Sequence, residues 1–134
     1  MKTSLNIGLL IVFAGFFFMS CKDDDYETIQ SADKIKIDSV KIVNDTMSVF
    51  GVQSIRTYST YSSHCEGFYG YDYVYTGEFF RDVTSYQYRT SGNCTATSYA
   101  GANQINFSPQ KKGIYSFRFW AGNNSWITKT IVVE

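Results

Sequence analysis

The sequence predicts an all-β fold of about seven strands, a sandwich or a barrel, and three observations carry that expectation. Beyond the first twenty residues no stretch places apolar residues at helical spacing. Short runs rich in Val, Ile, Thr, Tyr and Phe instead alternate apolar with polar positions, the period of a half-buried strand. Turn residues separate these runs, among them Asn44-Asp45, Ser91-Gly92-Asn93 and Ala121-Gly122-Asn123-Asn124-Ser125.

The elements follow in order. Residues 22–33 are polar and acidic and read as a tether, so the domain is expected to span 34–134. From Lys34 the chain alternates, with Ile35, Ile37 and Ser39 on one face and Val40 and Ile42 on the other, after an irregularity near Asp38-Ser39. Met47 to Tyr61 is β-branched and aromatic enough for a second strand, bent at Gly51. Glu66 to Thr76 reads as a third and Thr84 to Thr90 as a fourth. Thr95 to Tyr99 is a short edge strand and Gln104 to Phe107 another. A closing hairpin runs up to Phe119 and returns as Trp126 to Val133.

The first twenty residues are of a different kind. Lys2 is their single charge, and Ile7 to Met19 is almost wholly apolar, a charged start followed by a hydrophobic segment. That run is shorter than the ~20 residues a helix needs to cross a bilayer. Residues 1–20 therefore read as a secretion signal. At its end Phe18-Met19-Ser20-Cys21 resembles a bacterial lipobox, with Phe18 where an aliphatic residue is usual. The resemblance implies that Cys21 is lipidated and becomes the first residue of the mature chain, with residues 21–33 a lipid-anchored tether. Two or more acyl chains anchor stably where one does so only marginally. The run Lys22-Asp23-Asp24-Asp25 resembles the export signal of Bacteroidota surface lipoproteins, which implies an outer-membrane protein facing the exterior. The plainer reading is a solvated acidic tether.

If Cys21 carries lipid, Cys65 and Cys94 remain in an oxidising compartment, where a disulfide between them is expected. The alternative is two free thiols or metal ligands, with only His64 at hand to complete a site.

A second resemblance lies in the C-terminal third. Residues 107–119, Phe107-Ser108-Pro109-Gln110-Lys111-Lys112-Gly113-Ile114-Tyr115-Ser116-Phe117-Arg118-Phe119, look like the corner and penultimate strand of bacterial immunoglobulin-like or polycystic-kidney-disease-type modules. By this resemblance the fold is an immunoglobulin-like β-sandwich, and Tyr115 is its corner tyrosine, ring buried and hydroxyl bonded to nearby backbone. Cys65 and Cys94 do not match the inter-sheet bridge of antibody domains, and the first half of the domain has no matching landmarks.

The candidate binding face is the segment from Gly67 to Tyr75. Regular alternation puts Tyr69, Tyr71, Tyr73 and Tyr75 on one face at ~6.8 Å spacing, with Tyr86 and Tyr88 extending it from a neighbouring strand. Such a ladder serves as a platform for sugar rings, as a protein docking face, or simply as a good strand surface. Trp120 and Trp126 flank the last turn and are expected close together, Trp120 sharing the outer face with Ser116 and Arg118.

Composition narrows the function. Twelve basic residues balance twelve acidic ones with no basic stripe, which argues against nucleic acid. A Ser-His-Asp set from Ser62 or Ser63, His64 and Asp72 lacks a nucleophile elbow, and the acids Glu66, Asp72, Glu78 and Asp82 read as strand-end charges. No zinc spacing or phosphate loop occurs, and Asp23 to Asp25 lack a fixed oxygen cage for Ca²⁺. No enzyme activity, cofactor or metal is expected. The expected role is a binding or accessory module of an outer-membrane protein complex, held to the membrane by its lipid. The alternative is retention of a polysaccharide on the tyrosine ladder.

Overall fold

Nine strands make two sheets in a computed structural model that describes residues 29–134. The expected signal peptide, Cys21 and the Lys22 to Asp25 run lie outside the described residues. The strands are β1 (Ile29–Ile35), β2 (Ser39–Ile42), β3 (Thr46–Met47), β4 (Gln53–Tyr61), β5 (Glu66–Gly77), β6 (Phe80–Thr90), β7 (Tyr99–Phe107), β8 (Gly113–Trp120) and β9 (Trp126–Val133). One sheet runs β1-β6-β8-β9-β3 with β5 paired to β6, and the other runs β2-β4-β7. The chain is thus an all-β sandwich, with a disulfide between Cys65 and Cys94.

Alternation explains the packing. In β8, Tyr115, Phe117 and Phe119 point inward and are buried, while Ile114 and Arg118 face out. In β4 the buried positions are Gln53, Ile55, Thr57, Ser59 and Tyr61. Between the sheets Val40, Ile55 and Phe107 meet Val83, Tyr115, Phe117, Phe119, Ile131 and Val133. Phe107 stands edge-on to both Tyr115 and Phe117, with centroids 5.0 Å away in each case. Aromatic pairs of this kind stabilise beyond the area they bury. The Tyr115 hydroxyl donates to the Lys111 carbonyl at 2.7 Å, four residues upstream, which is tyrosine-corner geometry.

β4 and β7 neighbour one another in one sheet, and the β8–β9 hairpin lies in the other. Two pairings are parallel rather than antiparallel, β3 with β9 and β6 with β8.

Several boundaries fall elsewhere than the sequence pattern places them. Residues 29–33, assigned to the tether, are strand, since β1 covers the outer edge of β6 from Thr90 to Ser85. Only Ile35 of β1 is buried, so its side chains carry no apolar alternation to reveal it. The irregularity at Asp38 is a passage between sheets: Ile37 bonds to Trp120 and Asp38 to Tyr58. The bend at Gly51 is likewise a change of sheet. Phe50 takes φ 65° and Gly51 N donates to Ser48 O, so β3 ends on β9 before β4 begins on β2. Of the short strand expected at 95–99 only Tyr99 is strand, and it opens β7, which takes in the strand expected at 104–107 and runs in continuous register with β4. Gly101 permits this, because a Cβ there would stand 2.7 Å from the Tyr61 ring.

Candidate functional site

The tyrosine row does not form a single platform. Phe68 pairs with Gln87 and Gly70 with Tyr86, which leaves Tyr69 as the extra residue of a bulge. A bulge reverses the alternation, so Phe68 and Tyr71 touch at 4.7 Å while Tyr69 is thrown out to solvent. Tyr71, Tyr73 and Tyr75 then face the other sheet. The Tyr71 hydroxyl shares a 2.6 Å hydrogen bond with Thr57 of β4, and burial pushes its phenol pKa up. Tyr73 and Tyr75 meet edge to face at 5.7 Å.

These rings wall a cleft of about 820 Å³ on the open side of the sandwich, between the edge strands β5 and β7. Gln104, Ile105, Asn106 and Phe107 form the opposite wall. Glu78 and Lys111 stand at the rim as an ion pair. The floor holds a residue the sequence pattern did not single out. Arg81 is only 8% exposed, and among the described residues no carboxylate lies within ion-pair distance of it. Its Nη1 donates to the carbonyls of Gly77, Glu78 and Phe80 at 3.0–3.2 Å, while its Nε is buried with no partner. The guanidinium lies 3.9 Å from the centre of the Tyr75 ring and 5.5 Å from that of Tyr115. Burial raises the Tyr73 phenol pKa against the opposing pull of Arg81. A buried cation lacking a counter-charge costs stability unless something supplies one. The signal in the sequence was the alternation Arg81, Val83, Ser85, which puts a cation on an inward-facing position.

Trp120 and Trp126 pair directly across the final hairpin, on the opposite face of the sheet from this cleft. Lys34 lies 5.7 Å over the Trp120 ring and Arg118 4.4 Å over Trp126, while Asp82 accepts two hydrogen bonds from Arg118. The six candidate binding residues therefore lie in three places: Tyr69 on its bulge, Tyr71, Tyr73 and Tyr75 in the cleft, and Trp120 and Trp126 outside.

The disulfide end of the sandwich holds a second cleft, lined by Ser62, Glu66, Arg89 and the bridge itself. Cys65 and Cys94 have Cα atoms 5.4 Å apart, and the Tyr99 hydroxyl donates to the Glu66 carbonyl. His64 stacks on Tyr99 at 5.1 Å, and the Ser62 hydroxyl donates to Glu66 at 2.7 Å rather than to His64. Of the acids read as strand-end charges, Glu66, Glu78 and Asp82 are each bonded to a cation. Asp72 lies exposed on β5, opposite Thr84. Among the described residues no three His, Cys, Asp or Glu side chains converge on one point.

Burial alone would raise the Glu66 carboxyl pKa. Hydrogen bonds from the Ser62 hydroxyl and amide, together with Arg89, outweigh it and hold the pKa below the usual range. A depressed carboxyl stabilises the fold above its unfolded pKa, and that contribution is lost as pH falls through the folded value. Glu66→Gln should therefore lower the melting temperature at pH 7 and flatten its decline below about pH 4. Parallel melting curves for the two proteins across pH 2–7 would contradict this.

Comparison with known proteins gives no match to a family model, a curated protein or a solved structure.

Proposed function

We propose that this is a non-catalytic, lipid-anchored protein of the outer surface of the outer membrane, acting as a binding or accessory module of an envelope protein complex, and that the β5–β7 cleft is its recognition site. The observation that carries the reading is Arg81, a buried cation without a carboxylate on the floor of an open, aromatic-walled cleft. An acidic group of the partner completes it, and Tyr73 and Tyr75 supply contact area. Rigid aromatic rings and arginine dominate the binding energy of protein interfaces. The lipid at Cys21 and the acidic residues after it place the cleft within reach of other envelope components.

A second reading has support in the opposite wall. Gln104 and Asn106 are among the residues lining it, and Tyr75 across the cleft is 69% exposed, an aromatic surface suited to the ring face of a sugar.

The test is affinity capture of the tagged, lipidated protein from its own membranes, beside Arg81→Gln and Tyr75→Ala, with a glycan array on residues 22–134. A stoichiometric membrane partner retained by the parent and lost by both variants supports the accessory module. Glycan binding lost in both, with no partner, supports the sugar reading. Capture or binding unchanged by either variant removes the cleft from both.

A further inference from the structure

We propose that two copies of this chain pair through β7, joining their three-stranded sheets into one of six strands. An edge strand offers unpaired backbone donors and acceptors to any other chain, so stable proteins shorten, charge, bulge or cover their edges. The edges of this molecule differ sharply in this respect. β1 carries Asp33 and Lys34 and a register shift, β2 is four residues long and contains Lys41, and β3 is two residues long. β5 carries Asp72 and two register shifts. β7 has none of these guards. Its nine residues, Tyr99-Ala100-Gly101-Ala102-Asn103-Gln104-Ile105-Asn106-Phe107, include no charge and no proline, and its register with β4 is unbroken. Among the described residues, none from 99 to 107 makes a backbone hydrogen bond outside its own ladder.

The residues of β7 point to a second copy as the occupant. In an antiparallel pair centred on Asn103, Gly101 faces Ile105 of the other copy, Ala102 faces Gln104 and Ala100 faces Asn106. Small meets large at each of these positions, on the inner face and on the exposed one. Directly opposed side chains are the unit of sheet stabilisation, and like charges there are unfavourable. In a two-fold pair the same patch meets itself, so a charge near the axis stands beside its own copy. A strand without charge over nine residues meets that requirement, whereas a different partner would gain from a complementary charge. Gln104 to Phe107 also line the cleft, so the pairing brings two clefts together at the axis.

The test uses residues 22–134, which hold every described strand and the whole core, in sedimentation equilibrium. The parent should be a dimer. Ala102→Lys/Gln104→Lys and Ala102→Glu/Gln104→Glu each set like charges opposite one another twice, at positions exposed in the single copy. Each should weaken the dimer roughly tenfold to a hundredfold, and mixing the two variants should restore a one-to-one dimer. Hydrogen exchange on the parent is a readout independent of the variants, with amides of residues 99–107 gaining protection as concentration rises. A parent that stays monomeric up to about 1 mM, or double variants that dimerise as well as the parent, overturns the proposal.

Discussion

Replacing Phe117 by alanine should cost about 3–5 kcal/mol, the usual penalty for removing a fully buried phenylalanine. The ring has no exposed surface, and it sits between Phe107, met edge-on at 5.0 Å, and Phe119, stacked at 6.2 Å. Both neighbours are held by β-ladders, so the cavity cannot collapse fully. Domains of this kind have only ~5–15 kcal/mol in total. The substitution should remove a large share of it. Urea unfolding at constant m measures the change, with Phe80→Ala as the control because Phe80 is 55% exposed. Similar losses for the two variants would contradict the core described above.

Loss of the disulfide should be nearly as damaging. Cys65→Ser/Cys94→Ser opens a loop of about 30 residues, for which chain entropy alone gives roughly 3.5 kcal/mol. The loop contains the whole of β5 and β6, and hence Arg81 and the cleft tyrosines Tyr71, Tyr73 and Tyr75. Backbone bonds at the bridge, Thr90 N to Cys65 O and His64 N to Thr95 O, should fray first. The expected result is a lower unfolding midpoint together with early exchange of amides at 62–66 and 91–98. An unchanged midpoint in the double variant would mean that the Glu66–Arg89 pair and the β5–β6 ladder hold this end unaided.

Much of the fold was legible because alternation is a direct record of burial. Tyr115, Phe117 and Phe119 announce the inner face of β8, and the Tyr115 corner could be read to the level of its hydroxyl. Other features depend on partners far along the chain. β1 hides because its side chains are mostly exposed, and its pairing with β6 is a backbone matter. The Ala100-Gly101-Ala102 stretch looks like a break in a strand until the Tyr61 ring is seen lying over Gly101. At the candidate site the failure has one cause: a single extra residue at Tyr69 reverses the phase of everything after it. Periodicity cannot show a bulge, which is defined by the opposite strand. Arg81 was overlooked for a related reason, since β6 begins four residues before the apolar pattern does, straight after a turn.

The parallel pairings of β3 with β9 and β6 with β8 set the order in which the molecule can be assembled. β3 has no neighbour in its sheet except β9, and β8 must close against β6 with β7 intervening in the other sheet, Phe80 pairing with Ser116. Loops of this span must close before their contacts repay them, which places the domain among slow, high-contact-order folders. Until β9 is in place, β3 has no strand to pair with and Phe117 lacks a finished wall. The core is therefore completed only when β9 arrives, and the two sheets close together in one cooperative step.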